Sequence, residues 1–325
     1  MELGLREREV RARQLESLSR AFGDKILACF RDKRVIEIML NTDGRVWIER
    51  AGEPEMTVLQ DMSPVQAMGA IQAAAALVGT VVNADKPILE CELPNGESVF
   101  GGARLEALIP PVVASPVFAI RKKAELIFTL SDYVEKGILS PAGKAFLENA
   151  VAERKNILIC GGTGTGKTTF ANAMLAAMSE IDPHSRIVII EDTLELQCAA
   201  KNVVFLRTSD GVDQTHLLRA TMRLRPDRIV VGEVRDKSAL ALLKAWNTGH
   251  PGGLGTVHAN DARAALVRLG QLIQEAGVLP VPELIAEAVD VVVSIKREAG
   301  GRRIDEIVRV IEHRADVGFV VESVL

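Results

Sequence analysis

Apolar and polar positions alternate differently in the two halves of the chain. Residues 4–22 read as a charged helix stopped by Gly23. Two short runs, Val35 to Leu40 and Arg45 to Glu49, flank Asn41-Thr42-Asp43-Gly44. They predict a β-hairpin in which Gly44 supplies the positive φ of the turn. The apolar stretch from Ala67 to Val82 follows Ser63-Pro64, an N-cap with proline at the first helical position. It contains Gln72 and is too short and too rich in alanine to span a membrane, so a buried helix is expected. Strand-like pieces around Ile88 to Leu93 and Ser98 to Leu108 complete a small α+β domain over residues 1–125. Pro110-Pro111, Ser115-Pro116 and the basic run Arg121-Lys122-Lys123 suggest an exposed connector, and residues 126–139 a linker.

From residue 140 the rhythm changes. A helix is expected over 140–155, then the apolar run Asn156 to Cys160, then a helix from Thr168 to Met178. Arg186 to Ile190, Val203 to Leu206, Arg228 to Val231 and Leu254 to His258 are further strand candidates, with helical stretches between them. This alternation predicts an α/β domain over residues 140–325, a parallel sheet with helices on both faces. Ile304 to Ile311 and Gly318 to Ser323 read as a terminal strand pair. No repeat and no low-complexity segment interrupts the pattern.

Composition narrows the functional classes. The 325 residues, 48% of them hydrophobic, suffice for two folded domains. A net charge of −4, a pI near 5.9 and only 4% aromatic residues argue against a protein that holds nucleic acid by charge and stacking. Cys29, Cys91, Cys160 and Cys198 are far apart and form no C-x-x-C pair, which argues against zinc and for reduced thiols in the cytosol. Met1 leads into Glu2, Arg6, Glu7 and Arg8 with no apolar core after them, so no secretory signal is expected. Any membrane association should then be peripheral.

The candidate chemistry lies at strand ends. Gly161-Gly162-Thr163-Gly164-Thr165-Gly166-Lys167-Thr168-Thr169 is a P-loop, placed between a strand and a helix as the motif requires. Its glycines let backbone N–H groups turn inward around phosphates, and the helix presents its positive end to the same anion. Lys167 can reach the β- and γ-phosphates, and Thr168 can offer a hydroxyl to Mg2+, so ATP with Mg2+ is the expected ligand. The strand from Arg186 ends in Glu191-Asp192, and in a parallel sheet such ends face the ligand. Pro226 to Arg235 is a second apolar strand ending in acid, with Glu233 able to order Mg2+ through water or polarise the attacking water. Gly232 leaves room for close approach. In Thr248 to Asn260, Gly252-Gly253 allow a ligand or neighbouring strand to come near, and His258 is placed to contact the γ-phosphate. His250 reads as structural, and His184, His216 and His313 carry no functional signal.

Taken together, these segments resemble the P-loop, Asp box, Walker B and His box of the secretion and conjugation ATPases, in that family's order. The family includes type II and type IV secretion ATPases and pilus extension and retraction motors. The segment Ile36 to Trp47, Arg104 to Pro111 and Ala119-Ile120-Arg121 is similar to the N-terminal domain of the type IV branch. The chain lacks the four-cysteine zinc insertion of the type II branch and is most like the conjugative-transfer ATPases. The resemblance implies a RecA-like ATPase domain behind a smaller N-terminal lid. It implies a homohexamer on the cytoplasmic face of the inner membrane, docked on inner-membrane components of a conjugation apparatus. Lys167, with Gly162 to Thr169, would hold the nucleotide; Thr168, Glu191 and Glu233 would serve the metal. Glu191, Asp192 or Glu233 would activate water, and His258 would link the γ-phosphate to its surroundings. Arg104 and Arg121 match arginines that reach toward the phosphates, and Arg219 and Arg225 are further candidates for action across a subunit boundary. A RecA-like nucleic-acid motor and a nucleotide-gated scaffold with little hydrolysis are the rival readings.

Overall fold

A computed structural model describes residues 2–51, 53, 55–96, 98–123, 127–298 and 301–324. It resolves into two compact units, residues 1–126 and 127–325.

In the first unit, α1 (Glu2–Phe22) stops where Gly23 adopts φ 79°. A second helix that the sequence pattern did not suggest, α2 (Asp24–Arg31), begins directly afterwards. The strands β1 (Val35–Leu40) and β2 (Arg45–Arg50) form the expected hairpin, with Gly44 at φ 83°. β3 (Thr57–Asp61) follows, then α3 (Pro64–Leu77), whose first turn is capped by Ser63: its Oγ accepts the N–H of Gln66 at 3.2 Å. The remaining strands are β4 (Ile88–Glu92), β5 (Arg104–Leu108) and β6 (Val117–Arg121). The sheet is antiparallel in the order β3-β2-β1-β6-β5-β4. Phe22, Phe30, Phe100 and Phe118 pack ring to ring in its core, with centroids 5.1 to 6.1 Å apart.

The expected exposed connector is therefore corrected. Val117–Arg121 is a central strand, and Phe118 and Ile120 alternate into the core. The basic residues that follow are tied down. Lys122 Nζ donates to the carbonyls of Cys29 and Asp32, and Lys123 pairs with Glu92 at 2.6 Å. Flanking prolines and adjacent cations hid a strand of only five residues.

The second unit opens with α4 (Leu130–Glu135), inside the stretch expected to be a linker. Thr129 and Asp132 form a reciprocal capping box. Tyr133 is buried against Phe170, with ring centroids 5.1 Å apart. Next come α5 (Pro141–Ala152), β7 (Ile157–Cys160), α6 (Lys167–Ile181), β8 (Ile187–Glu191), β9 (Val203–Arg207) and α7 (Gln214–Thr221). β10 (Arg228–Val231), α8 (Ser238–Asn247), β11 (Leu254–Val257), α9 (Ala262–Gln274) and α10 (Pro282–Ala288) follow. The last three strands are β12 (Val291–Glu298), β13 (Gly301–Arg314) and β14 (Gly318–Ser323). The sheet order is β14-β13-β12-β7-β11-β10-β8-β9, parallel from β12 to β9 and antiparallel through β13 and β14. β7 is apolar throughout because both its faces are covered: Ile157 and Ile159 join one buried cluster, Leu158 and Cys160 the other. Among the described residues no helix is long and apolar enough to cross a membrane.

The amino ends of β10 and β11 are fastened by side chains that need glycine. Arg228 has no exposed surface and donates to the carbonyls of Gly252 and Val151 and to Asp182 Oδ2. A Cβ on Gly252 would lie 2.4 Å from the Arg228 guanidinium, and one on Gly253 would overlap the Trp246 indole. Gly252-Gly253 thus admit Arg228 and Trp246. Asp182 also pairs with Arg154 at 2.9 Å. Burial pushes the Asp182 carboxyl up, but hydrogen bonds and charge from Arg228 and Arg154 outweigh it and hold it below the usual carboxylate range. The stabilisation is then present above the unfolded value of about 3.9 and fades as pH falls through the lower folded value. Asp182→Asn should cost about 2–3 kcal/mol at pH 7, and the gap between variant and parent in urea melts should narrow below about pH 4.

Candidate active site

Parallel strands that share a direction bring their carboxyl ends to one edge of the sheet, and the candidate residues stand there in strand order. The P-loop leaves β7 and enters α6 at Lys167. Gly161 is squeezed against β12, since a Cβ there would lie 2.4 Å from the Ile295 carbonyl oxygen. Gly164 and Gly166 take φ of 72° and 98°, which lets the loop close. Thr165 Oγ1 donates to the Gly162 carbonyl at 2.9 Å. Gly162, Thr163 and Gly164 are exposed, and Thr168 and Thr169 half-buried, in the first turn of α6. Lys167 is buried to 8% exposure, and its Nζ donates to the carbonyls of Gly161 and Gly162 and meets His258 Nδ1 at 3.2 Å.

His258 follows β11, the strand beside β7. Its Nε2 lies 3.1 Å from Glu233 Oε1, and Glu233 follows β10, the next strand. A lysine ammonium only donates, so the neutral ring accepts at Nδ1 and its Nε2–H donates to Glu233. Burial and the Lys167 charge push the His258 pKa down against the pull of Glu233, which fits the neutral ring. Burial also raises Glu233, but the hydrogen bond and charge of Arg235, with His258 and Lys167 behind, hold it below the ordinary glutamate value. Arg235 continues the row: it grips Glu233 Oε2 and lies 3.4 Å from Asp192 Oδ2, just past β8. Asp192 Oδ1 accepts from Thr208 Oγ1 at 3.1 Å and Gln214 Nε2 at 3.2 Å. Gln214 Nε2 also reaches the Glu233 carbonyl at 3.0 Å. This outer end of the row borders a polar cavity of about 410 Å³.

Glu191 behaves differently from its neighbour. It is 3% exposed, and its Oε1 accepts the N–H groups of Glu195 and Leu196, both at 2.9 Å. That anchors the turn after β8. Gly232 makes the approach possible, because a Cβ there would lie 2.9 Å from Glu191 Cγ.

The structure thus brings Lys167, His258, Glu233 and Asp192 into one hydrogen-bonded row. Arg104 and Arg121 belong to the first unit, where they stand directly opposite each other on β5 and β6. Arg121 Nε lies 3.8 Å from Glu37 Oε1. Arg219 is exposed on α7, and Arg225, at φ 53°, is exposed between α7 and β10. His250 Nδ1 lies 3.1 Å from the Pro226 carbonyl. Sequence reasoning missed Arg235 and Gln214. Arg235 carried a faint signal, being two residues beyond Glu233 on a strand end; Gln214 carried none, as it reaches Glu233 from a helix 19 positions upstream.

With this geometry in view, the chain can be compared with known proteins. The model of the family "Type II/IV secretion system protein" matches residues 21–301. A probable conjugal transfer protein TrbB from Sinorhizobium fredii is 48% identical over 96% of this chain and 94% of its own length. The type IV secretion system protein VirB11 of Bartonella quintana is 30% identical over 87% of this chain and 90% of its own. The crystal structure of the pilus retraction motor PilT with bound ADP shares the fold, with a TM-score of 0.58 and 20% identity over 93% of this chain and 82% of that one. A family model spanning most of the chain, and a half-identical relative along nearly its whole length, place this protein in the type II/IV secretion system protein family.

Proposed function

We propose that this chain is an ATP hydrolase with a RecA-like second domain, which works as a homohexamer to power a conjugative type IV secretion system. The observation that carries the reading is the row Lys167–His258–Glu233–Arg235–Asp192 beside a complete P-loop. The names and near full-length likeness of the relatives support the biological setting. In this reading residues 1–125 form a lid and ring contact. Arg104 and Arg121, presented side by side on one sheet face, supply positive charge to the phosphates. Arg219 and Arg225 act across a subunit boundary. Inner-membrane components of the conjugation apparatus are the partners, met by peripheral contact at the cytoplasmic face.

Gly162 to Thr169 bind the phosphates through backbone N–H groups, and Lys167 exchanges its contacts with loop carbonyls for phosphate oxygens. The Thr168 hydroxyl in the first turn of α6 and the Glu233 carboxylate form a donor set that fits Mg2+, which is usually held by one or two carboxylates together with substrate phosphates. Thr168 and Glu233 would hold it, with Glu191 fixing the turn behind them, and it would neutralise charge on the β- and γ-phosphates. Of the three acids, Glu233 is the one joined through His258 to Lys167, so it polarises the attacking water. Asp192 positions Arg235, and Arg235 keeps Glu233 ionised and aimed.

Lys167→Ala should abolish phosphate release and tight ATP binding while leaving the thermal melt near that of the parent; turnover at the parental rate would overturn the reading. Glu233→Gln should keep ADP affinity within about threefold and lower kcat by about 10²–10⁴. Unchanged kcat in that variant would shift the role to Asp192 or Glu191. Turnover that depends on single-stranded DNA and collapses with salt would instead indicate a nucleic-acid motor. Tight ATP binding without phosphate release in the parent would indicate a scaffold.

A further inference from the structure

The P-loop has a second wall, on the side away from the catalytic row. Val291 to Ser294 of β12 pair with Ile157 to Cys160, so Ile295 to Glu298 continue beyond β7 and run alongside the loop. β13 returns antiparallel, with Ile304 opposite Ile295, Arg303 opposite Lys296, and Arg302 opposite Arg297. Residues directly opposite share a face, so this short hairpin has two different sides. One carries Lys296, Arg303 and Asp305, joined by ion pairs of 2.6 and 2.8 Å, with Glu298 also bound to Arg303. The other carries Ile295, Arg297, Arg302 and Ile304, and it is turned to the P-loop.

The contacts of that second side are close. A Cβ on Gly161 would meet the Ile295 carbonyl, and one on Gly164 would lie 3.9 Å from Arg297 Nη1. One on Gly166 would lie 3.0, 3.1 and 3.7 Å from Cδ, Nε and Cζ of Arg302. The Arg302 guanidinium therefore lies across the residue that precedes Lys167. Its Nε is buried and has no hydrogen-bond partner among the described residues. The hairpin's acids Glu298 and Asp305 bind cations of the other face, while the Arg302 guanidinium, its Nε unsatisfied, lies against a phosphate-binding loop, where a charge-assisted bond to an anion is strong.

Sheet order says which part of a nucleotide would meet this wall. β11 and β10, which carry His258 and Glu233, lie on one side of β7; β12 and β13 lie on the other. The reactive γ-phosphate belongs with Lys167, His258 and Glu233. The opposite end of the triphosphate must then leave the loop toward β12 and β13. We propose that Arg302 binds the α-phosphate of ATP or ADP from this side, a role that rests on the ATPase reading above and adds a subsite to it.

The test is calorimetric titration of the full chain and of Arg302→Ala with ADP, GDP and pyrophosphate. Pyrophosphate can take the β and γ positions at Lys167 without reaching the α position. The expected result is a loss of about tenfold in affinity for ADP and for GDP alike, with pyrophosphate within about twofold of the parent. Equal weakening of all three would overturn the proposal by making Arg302 a support of the loop. Loss for ADP alone would overturn it by making Arg302 a reader of the base, and so would no loss at all. Arg302→Gln, which keeps the stem over Gly166, should show the same pattern if Arg302→Ala melts early. A parent chain that binds pyrophosphate but no nucleotide would sink the ATPase reading and this inference with it; nucleotide binding unaffected by Arg302→Ala would sink the inference alone.

Discussion

The adjacency of four parallel strands, β7, β11, β10 and β8, is the constraint on which the site depends. Neighbouring strands lie about 4.8 Å apart, so three steps carry the sheet edge only about 14 Å from the P-loop strand to the Asp192 strand. Side chains of ordinary length bridge each step. Lys167, His258, Glu233, Arg235 and Asp192 form a row because their strands do. The opposite edge helps keep those strands in place. Arg228 and Trp246 occupy space left by Gly252 and Gly253, and the Arg228 guanidinium ties β10 to the start of β11, the end of α5 and the end of α6.

Much of this was legible in the chain because backbone requirements leave local marks. Gly44, Gly164 and Gly166 hold a positive φ that few other residues tolerate, and Ser63 supplies a side-chain cap that few other residues can. The apolar runs at 157–160 and 187–190 mark strands covered on both faces. What stayed hidden depends on partners distant in sequence. β6 lies between prolines and cations, yet it is central because β1 and β5 both pair with it. β12 went unnoticed although Val291-Val292-Val293 is strongly apolar, since it follows a helix with no turn signal of its own. Gly252-Gly253 suggest room for a ligand or a neighbouring strand, and the side chains that use the room are Trp246 and Arg228. In the site, acids at strand ends were visible as candidates, but their differing environments were not. Glu191 and Asp192 are neighbours in sequence, and one is buried on backbone amides while the other faces an arginine.

Arg235 shows why residue type matters along such a row. Its planar fork can reach two carboxylates presented from two strands, where a lysine would offer a single point of charge. Without it, Glu233 and Asp192 would lose the cation that pairs with both. The arginine thus stabilises the acids and also sets the direction in which Glu233 points, toward His258 and Lys167.

His258 gives the row its polarity. A neutral imidazole has one acceptor and one donor, so what happens at Nδ1 bears on the proton held at Nε2. With Lys167 donating to Nδ1, the ring is fixed in the tautomer that donates to Glu233. In the proposed reaction Lys167 turns toward phosphate, and the ring loses the donor that fixed it. The contact with Glu233 is then weakened by an amount on the order of one hydrogen bond, about 1 kcal/mol, several-fold in a population. Phosphate at the P-loop and freedom of the Glu233 carboxylate are in this way coupled through a single ring, with no movement of the strands required. Such a link would report whether the P-loop holds phosphate, because the signal begins at the lysine that phosphate draws away.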